Sequence, residues 1–388
     1  MATDARERAL DKLARMVGEP THLAELWRGC TEVLGDVLPH YWTPCWFTVD
    51  PASLLVTSHV HEGMDRMPDE WLVNEYYGEE VHRIVDVIGS PSGVSTLHEV
   101  TGGVPSTTRR WHLNMTLGGD QEMLARLRTS TGEDWGLVGV YREPGAPAFD
   151  EEDKRFLRAA GPHLAEGARR ALLIGEAAEP DHPQAPGLVI LDETWQVRST
   201  TPGVDGWLRE LPDGDMDAGR LPSAVLAVAA QARAAAQDPT RPSGAVLSRV
   251  RARNGAWVVL HGACLVEDGS RRVAVIVEPA APDRISPLLM AAYHLTPREK
   301  EVTRLVLRGD STSAIARELF CSPHTVQQHL KSIFDKTGVR SRRDLVGTVF
   351  FAHFEPRFRE NEQRVVAGLP IRGAPRSDLG GLPARPRA

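Results

Sequence analysis

The sequence predicts a multidomain chain: an α/β domain first, an α+β domain in the middle, and an all-α domain of four short helices near the end. Three observations predict it. At 388 residues and 41% apolar, the chain is long enough for two or three separate cores. An acidic, proline-rich stretch, EAAEPDHPQAP at 176–186, separates two regions in which strand-like and helix-like runs alternate. From Leu295 the strand signals stop and helix start and stop residues recur at short intervals. The boundaries expected are 1–175 with N-terminal helices, 176–186 as linker, 187–280, 288–354, and a disordered tail at 359–388 rich in Arg, Gly and Pro.

Taken in order, residues 3–38 are helical by spacing, with Leu10, Leu13, Met16 and Val17 on one face and a break at Gly18-Glu19-Pro20. Strands are expected at Cys45–Val49 and Leu54–Val60, and a helix near Glu70–Tyr77. Gln121–Thr129 is rich in helix formers and is expected to be helical. Trp135–Tyr141 is a short apolar run of β-formers and should be a central strand. Asp150, with Asp153 three residues on, should cap a long helix through Leu173 that kinks at Gly161-Pro162. Beyond the linker the order is strands at Gly187–Asp192 and Trp195–Thr200, then helices at Val204–Leu211 and Pro222–Ala236. Strands at Ala245–Arg251, Ala256–Cys264 and Ser270–Val277 complete it, with turns at Asn254-Gly255 and Asp268-Gly269.

The final domain carries the clearest chemistry. Thr296-Pro297-Arg298-Glu299 is a capping box opening the first helix, with Val302, Leu305 and Val306 as its buried stripe. Ser311 or Thr312 starts a second, whose buried side is Ile315, Ala316, Leu319 and Phe320. Ser322-Pro323 opens a third that ends at Gly338, and Ser341 with Asp344 caps a fourth. In the third helix Val326, Leu330, Ile333 and Phe334 share the buried face. The opposite face presents Gln327, Gln328, Lys331 and, near the N-terminus, His324. Amides there can pair with adenine N6/N7, and a lysine can reach guanine O6/N7 in a major groove. A short helix, a tight turn and a second helix with such a face is helix-turn-helix geometry. The plainer alternative is a helical bundle with an ordinary polar surface.

The wording of this stretch resembles the DNA-binding domain of LuxR/NarL-type bacterial transcription regulators. The resemblance rests on Leu295-Thr296-Pro297-Arg298-Glu299, Ile315-Ala316, Ser322-Pro323-His324-Thr325-Val326, His329 and Gly338-Val339-Arg340-Ser341-Arg342. It implies base contacts from Gln327, Gln328, Lys331 and His324, and phosphate contacts from Ser322, Thr325, Arg340, Ser341 and Arg342. Many members of the family carry lysine at the position of Gln327, which leaves the preferred DNA site open. The first domain is similar to a GAF domain in its order of elements, in Val49-Asp50-Pro51 and in WGLVGVYREPGAPAFDEEDKRFLRAAGPHLAEGARRALL. That resemblance implies a small-molecule effector in a pocket over the sheet, lined by candidates Trp42, Trp46, Trp71, Tyr76, Trp111 and His112; ordinary core is the competing reading. Two strands, helices and a three-stranded meander make the middle domain look like a short PAS domain. The fold class expected is thus a GAF-like α/β domain, a PAS-like α+β domain and a LuxR-type helix-turn-helix domain.

Charge agrees with a nucleic-acid-binding end. Residues 295–347 hold ten Lys and Arg against six Asp and Glu, while the first 294 residues hold 28 against 42. Phe351 and Phe354 would fall on an outer face of the fourth helix and are expected at a dimer or interdomain contact. His59-Val60-His61 puts two imidazoles on one side of a strand, but no third metal ligand is identifiable, and no cofactor is implied. Nucleotide-loop, zincin and nucleophile-elbow motifs are missing, so an enzyme is not expected. With four scattered cysteines, no apolar run of 18 residues and no signal-peptide pattern at MATDARERALDKLARM, a cytoplasmic protein off the membrane is expected. The expected partners are double-stranded DNA and a second copy of the chain. A sensor that sequesters a partner protein through its helical domain is the alternative.

Overall fold

The computed structural model describes residues 2–18, 22–61, 68–173, 186–238, 246–267, 270–280, 293 and 295–345. Residues 176–185 of the expected linker, Phe351, Phe354 and the 359–388 tail lie outside them. The first unit runs α1 (Ala2–Met16), α2 (Leu23–Gly35), β1 (Cys45–Val49), β2 (Val56–Val60), α3 (Asp69–Asn74), α4 (Ile84–Gly89) and β3 (Val94–Thr96). It continues with α5 (Leu97–Val100), α6 (Arg109–Met115), β4 (Gln121–Arg128), β5 (Asp134–Arg142) and α7 (Glu151–Leu173). The strands form one five-stranded antiparallel sheet in the order β2-β1-β5-β4-β3. Its two faces are separate: Trp46, Met123, Ala125 and Val138 pack with α1, α2 and α7, whereas Phe47, Leu124 and Leu137 pack with α3 and α4.

The structure overturns one assignment. Gln121–Arg128, expected as helix, is strand β4, paired along its length with β5. Met, Leu, Ala, Glu and Arg favour helix by only tenths of a kcal/mol each, about what one well-packed side chain outweighs. Here Met123, Leu124, Ala125 and Leu127 are fully buried between the two layers, and that burial decides. The Asp150 cap forms as expected, its carboxylate accepting from Glu152 and Asp153 N–H at 2.8 Å, and α7 runs on through Pro162.

The second unit comprises β6 (Gly187–Leu191), β7 (Val197–Thr200), α8 (Val204–Glu210), α9 (Ser223–Gln237), β8 (Val246–Arg251), β9 (Trp257–Glu267) and β10 (Ser270–Pro279). Its sheet, β7-β6-β10-β9-β8, repeats the strand order of the first. Helix α9, SAVLAVAAQARAAAQ, is buried on every side, from Ala224 to Ala230 without a break. One side lies on β8, β9 and β10, and another meets β2 and α3 of the first unit. Alanines permit the close approach, as does Gly262 on β9, where a Cβ would sit 2.9 Å from the Val228 carbonyl oxygen. The two units therefore share one apolar cluster. Buried Asp50 reinforces the joint, accepting from both the backbone N–H and the guanidinium of Arg249 at 3.0 Å.

The third unit holds α10 (Pro297–Leu307), α11 (Thr312–Glu318), α12 (Pro323–Thr337) and helical residues 342–345. Leu295, Val302, Leu305, Ile315, Val326, Leu330, Ile333 and Leu345 form its separate small core. Among the described residues no helix is long and apolar enough to cross a membrane, and all four cysteines are free.

Candidate nucleic-acid interface

Local chemistry fixes the orientation of α12. Thr296 accepts from the Glu299 N–H at 3.3 Å and Glu299 accepts from the Thr296 N–H at 2.7 Å, so the capping box is closed. The same carboxylate then reaches across to α12, accepting from Ser332 Oγ and Lys336 Nζ, each at 2.6 Å. Burial alone would raise the Glu299 carboxyl, but Lys336, Ser332 and Thr296 outweigh it and hold it at about 2. One residue thus starts the first helix and locks the third against it. Sequence spacing showed the cap but not the clamp, because Ser332 and Lys336 are far along the chain.

The turn into α12 is equally defined. Ser311 caps α11, accepting from Ala314 N–H at 3.2 Å, and Ser322 caps α12, accepting from Thr325 N–H at 3.0 Å. Gly338 ends α12 in the left-handed region at φ 72°. Between α11 and α12 the chain passes through Phe320 at φ 52°, and its ring is 96% exposed. That corrects the expectation of a buried Phe320: the sharp turn rotates it out of the stripe that holds Ile315 and Ala316. A left-handed phenylalanine costs about 1–2 kcal/mol, which the caps on either side sustain.

The polar face of α12 is bare. His324, Gln327, Gln328 and Lys331 are all exposed, and Val326, Leu330 and Ile333 are buried on the other side. Among the described residues Gln327 and Lys331 bond to nothing, while the Gln328 amide lies 3.2 Å from His324 Nε2. With that nitrogen accepting, Gln328 keeps one N–H and its carbonyl free, still a bidentate pair. Thr325 and Ser322 hydroxyls lie 2.9 Å apart at the helix N-terminus, where backbone N–H groups favour an anion. Arg340 is exposed and Ser341 caps the fourth helix, accepting from Asp344 N–H at 3.0 Å. Arg342 is engaged at home: its guanidinium donates to the Asp310 carbonyl and to Thr312 Oγ1, both at 2.9 Å.

Residues 293–349 match the family model of LuxR-family bacterial regulatory proteins. The spore germination protein GerE of Bacillus subtilis is 42% identical over 52 residues, which cover 13% of this chain and 70% of that protein. The chain belongs to the LuxR family. An HTH-type transcriptional regulator of Mycobacterium tuberculosis is 52% identical over 52 residues, 13% of this LuxR-family chain and 6% of its own length. The transcriptional regulatory protein DesR of Bacillus subtilis is 38% identical over 66 residues, 17% of this chain and 33% of that one. The chain thus spans 6% of the mycobacterial relative it matches.

In this LuxR-family protein Trp42, Trp71 and Tyr76, of the six residues expected to line one pocket, share one apolar cluster, whereas Trp46 belongs to the other and Trp111 and His112 to neither. Trp46 faces α2, stacked on Trp27 at 4.4 Å, because strand alternation sends it opposite to Phe47. Trp42 stacks on Tyr141 at 4.8 Å, and Tyr76 OH accepts from Val56 N–H at 2.8 Å. Trp111 donates to Asp120 at 2.9 Å beside an exposed His112. Trp71 lines a cavity between the first and second units. Beneath Trp71 lies a buried ionic network that the sequence did not disclose. Arg110, 4.3 Å from the Trp71 ring, donates to Glu75 at 2.5 Å and to Glu122 at 2.6 Å, and Glu122 also receives His82 at 2.8 Å and Asn114 at 2.6 Å. Burial pushes Glu122 up, but Arg110 and His82 prevail and hold it at about 2, whereas burial wins at Glu75 and raises it. His59 and His61 do share one side of the chain, with rings 4.9 Å apart, and no metal-holding group of three or more ligands occurs among the described residues.

Proposed function

We propose that this chain is a DNA-binding transcription regulator whose third unit reads DNA and whose first two units, GAF-like and PAS-like, set its activity. The observation that carries the reading is the bare amide-and-lysine face of α12, clamped by Glu299 and capped at both ends. In this reading Gln327, Gln328, Lys331 and His324 meet base edges, while Ser322, Thr325, Arg340, Ser341 and Arg342 meet phosphates. Arg342 would do so with the N–H groups that Asp310 and Thr312 leave over. A homodimer would set two α12 helices in successive major grooves about 34 Å apart. The acidic first 294 residues stay off DNA by charge, and the regulator works in the cytoplasm without an enzymatic step. The repeated 2-1-5-4-3 strand order supports a tandem of sensor modules, and the shared α9 gives them a common joint. An effector shifts the reader only by binding one arrangement of the units better than the other.

The test is binding of the purified full chain to random and selected duplexes over a series of salt concentrations. The reading expects a selected pseudo-palindrome and a steep fall of log K with log salt, because phosphate contacts release counterions. Flat salt dependence with no duplex selected would reject it.

A further inference from the structure

The second sheet is covered on one face and only partly on the other. Along β10, Val273, Val275 and Val277 are fully buried in the cluster that holds α9. Strand alternation sends Arg272, Ala274, Ile276 and Glu278 to the opposite face. Pairing extends that outer row over three strands. Ala274 stands opposite Ile190 of β6 and Ala263 of β9, Ile276 opposite Leu188 of β6, and Arg272 opposite Leu265 of β9. Toward β8 the same face is covered, because Leu247, Trp257 and Val259 belong to the apolar cluster of α1, α2 and α7. Away from β8 the six apolar residues are exposed or half-buried, Ile276 at 40% and Leu265 at 42%.

A single exposed apolar side chain is ordinary, but a contiguous apolar row on paired strands marks a contact surface. The order of the outer residues of β10 says what fits it. A second β10 laid antiparallel over the first, centred on Val275, sets Arg272 against Glu278 at both ends. It also sets each Ala274 against Ile276, so the small side chain meets the large one, and on β6 it sets Leu188 against Ile190. Charge and bulk are thus self-complementary in one register, as a two-fold contact between identical surfaces requires. A parallel arrangement would oppose Arg272 to Arg272 and Glu278 to Glu278, which like charge disfavours. Arg272 is exposed, and the Glu278 side chain remains 41% exposed although one of its oxygens lies 3.1 Å from His261 Nε2.

We propose that the outer face of the second sheet is a homodimer surface, on which two copies of this chain pack β10 over β10 with the sheets about 10 Å apart. It supplies the contact for the homodimer of the DNA-binding reading and rests on that reading only for what the dimer does. Self-association itself is measured without DNA.

The experiment is sedimentation velocity of the full chain over a dilution series, which should show a reversible monomer–dimer equilibrium. Ile276→Glu should raise the dimer dissociation constant at least about tenfold, with far-UV spectrum and melting unchanged. Glu278→Arg brings like charges together and should also weaken the dimer. Arg272→Glu combined with Glu278→Arg restores the opposition and should return the constant to within about threefold of the parent's. That recovery is a result which damage to the fold cannot imitate. A chain that stays monomeric at every concentration overturns the proposal and leaves the DNA reading to its own salt titration. Dimerisation unchanged in folded Ile276→Glu, or a double exchange no better than Glu278→Arg alone, overturns it as well.

Discussion

Helices α9 and α12 are each 15 residues long and are used in opposite ways. Helix α9 is buried without a break from Ala224 to Ala230, built largely of alanine and valine, and is wedged between two sheets. Helix α12 buries one stripe and holds a row of amides, imidazole and ammonium out to solvent with little to bond to. A structural helix satisfies its surroundings, whereas a recognition helix keeps its polar groups waiting. On the proposed reading this contrast marks α12 as the reader, because bare polar groups held rigidly are ready for base edges.

Four substitutions or conditions probe that contrast, from the largest effect down. Leu330→Ala removes a fully enclosed side chain from the small reader core and should cost about 2–5 kcal/mol. Thermal unfolding should show the reader transition falling while the front transition stays; a joint fall would break the separation of cores. Ala229→Leu in α9 adds bulk where nothing is exposed and should cost about 1–3 kcal/mol. Both sheet units should lose stability together in denaturant unfolding, since they share the cluster around α9.

The third is pH. The Glu299 carboxyl is held at about 2 against an ordinary 4.5, so its folded value is depressed. Its stabilising contribution is complete above pH 4.5 and is lost as pH falls toward 2. The reader melting temperature should drop across that window, and Glu299→Gln should flatten the drop. The smallest effect belongs to Lys300, which meets Glu133 of the β4–β5 turn at 3.1 Å. As a partly exposed ion pair it should be worth about 0–1 kcal/mol, so Lys300→Ala should leave stability nearly unchanged in a double-mutant cycle with Glu133→Gln.

The sequence was most legible where local rules govern. The capping box at Thr296, the caps at Ser311, Ser322 and Ser341, and the stop at Gly338 are chemistry of neighbouring residues, and all are present. It was least legible where distant residues decide. Nothing local in QEMLARLR announces that it lies between β3 and β5, and its good helix formers pointed the wrong way. Trp46 and Phe47 are neighbours in sequence but face opposite layers, so aromatic content alone does not separate Trp46 from Trp42 and Trp71. Phe320 continued an apolar spacing that the turn interrupts. The Arg110–Glu75–Glu122–His82 network joins residues from four separate parts of the first unit, so no spacing rule could expose it.

The most direct test of the central claim compares the parent with Gln328→Ala and Lys331→Ala in footprinting on the selected duplex. Both side chains are exposed, so circular dichroism and melting should be unchanged within about 0.5 kcal/mol. Each variant should lose about 1–3 kcal/mol on the cognate site and relax its preference at one base pair in each half-site. Footprints and affinities identical to the parent's would contradict the assignment of this face of α12 as the reader.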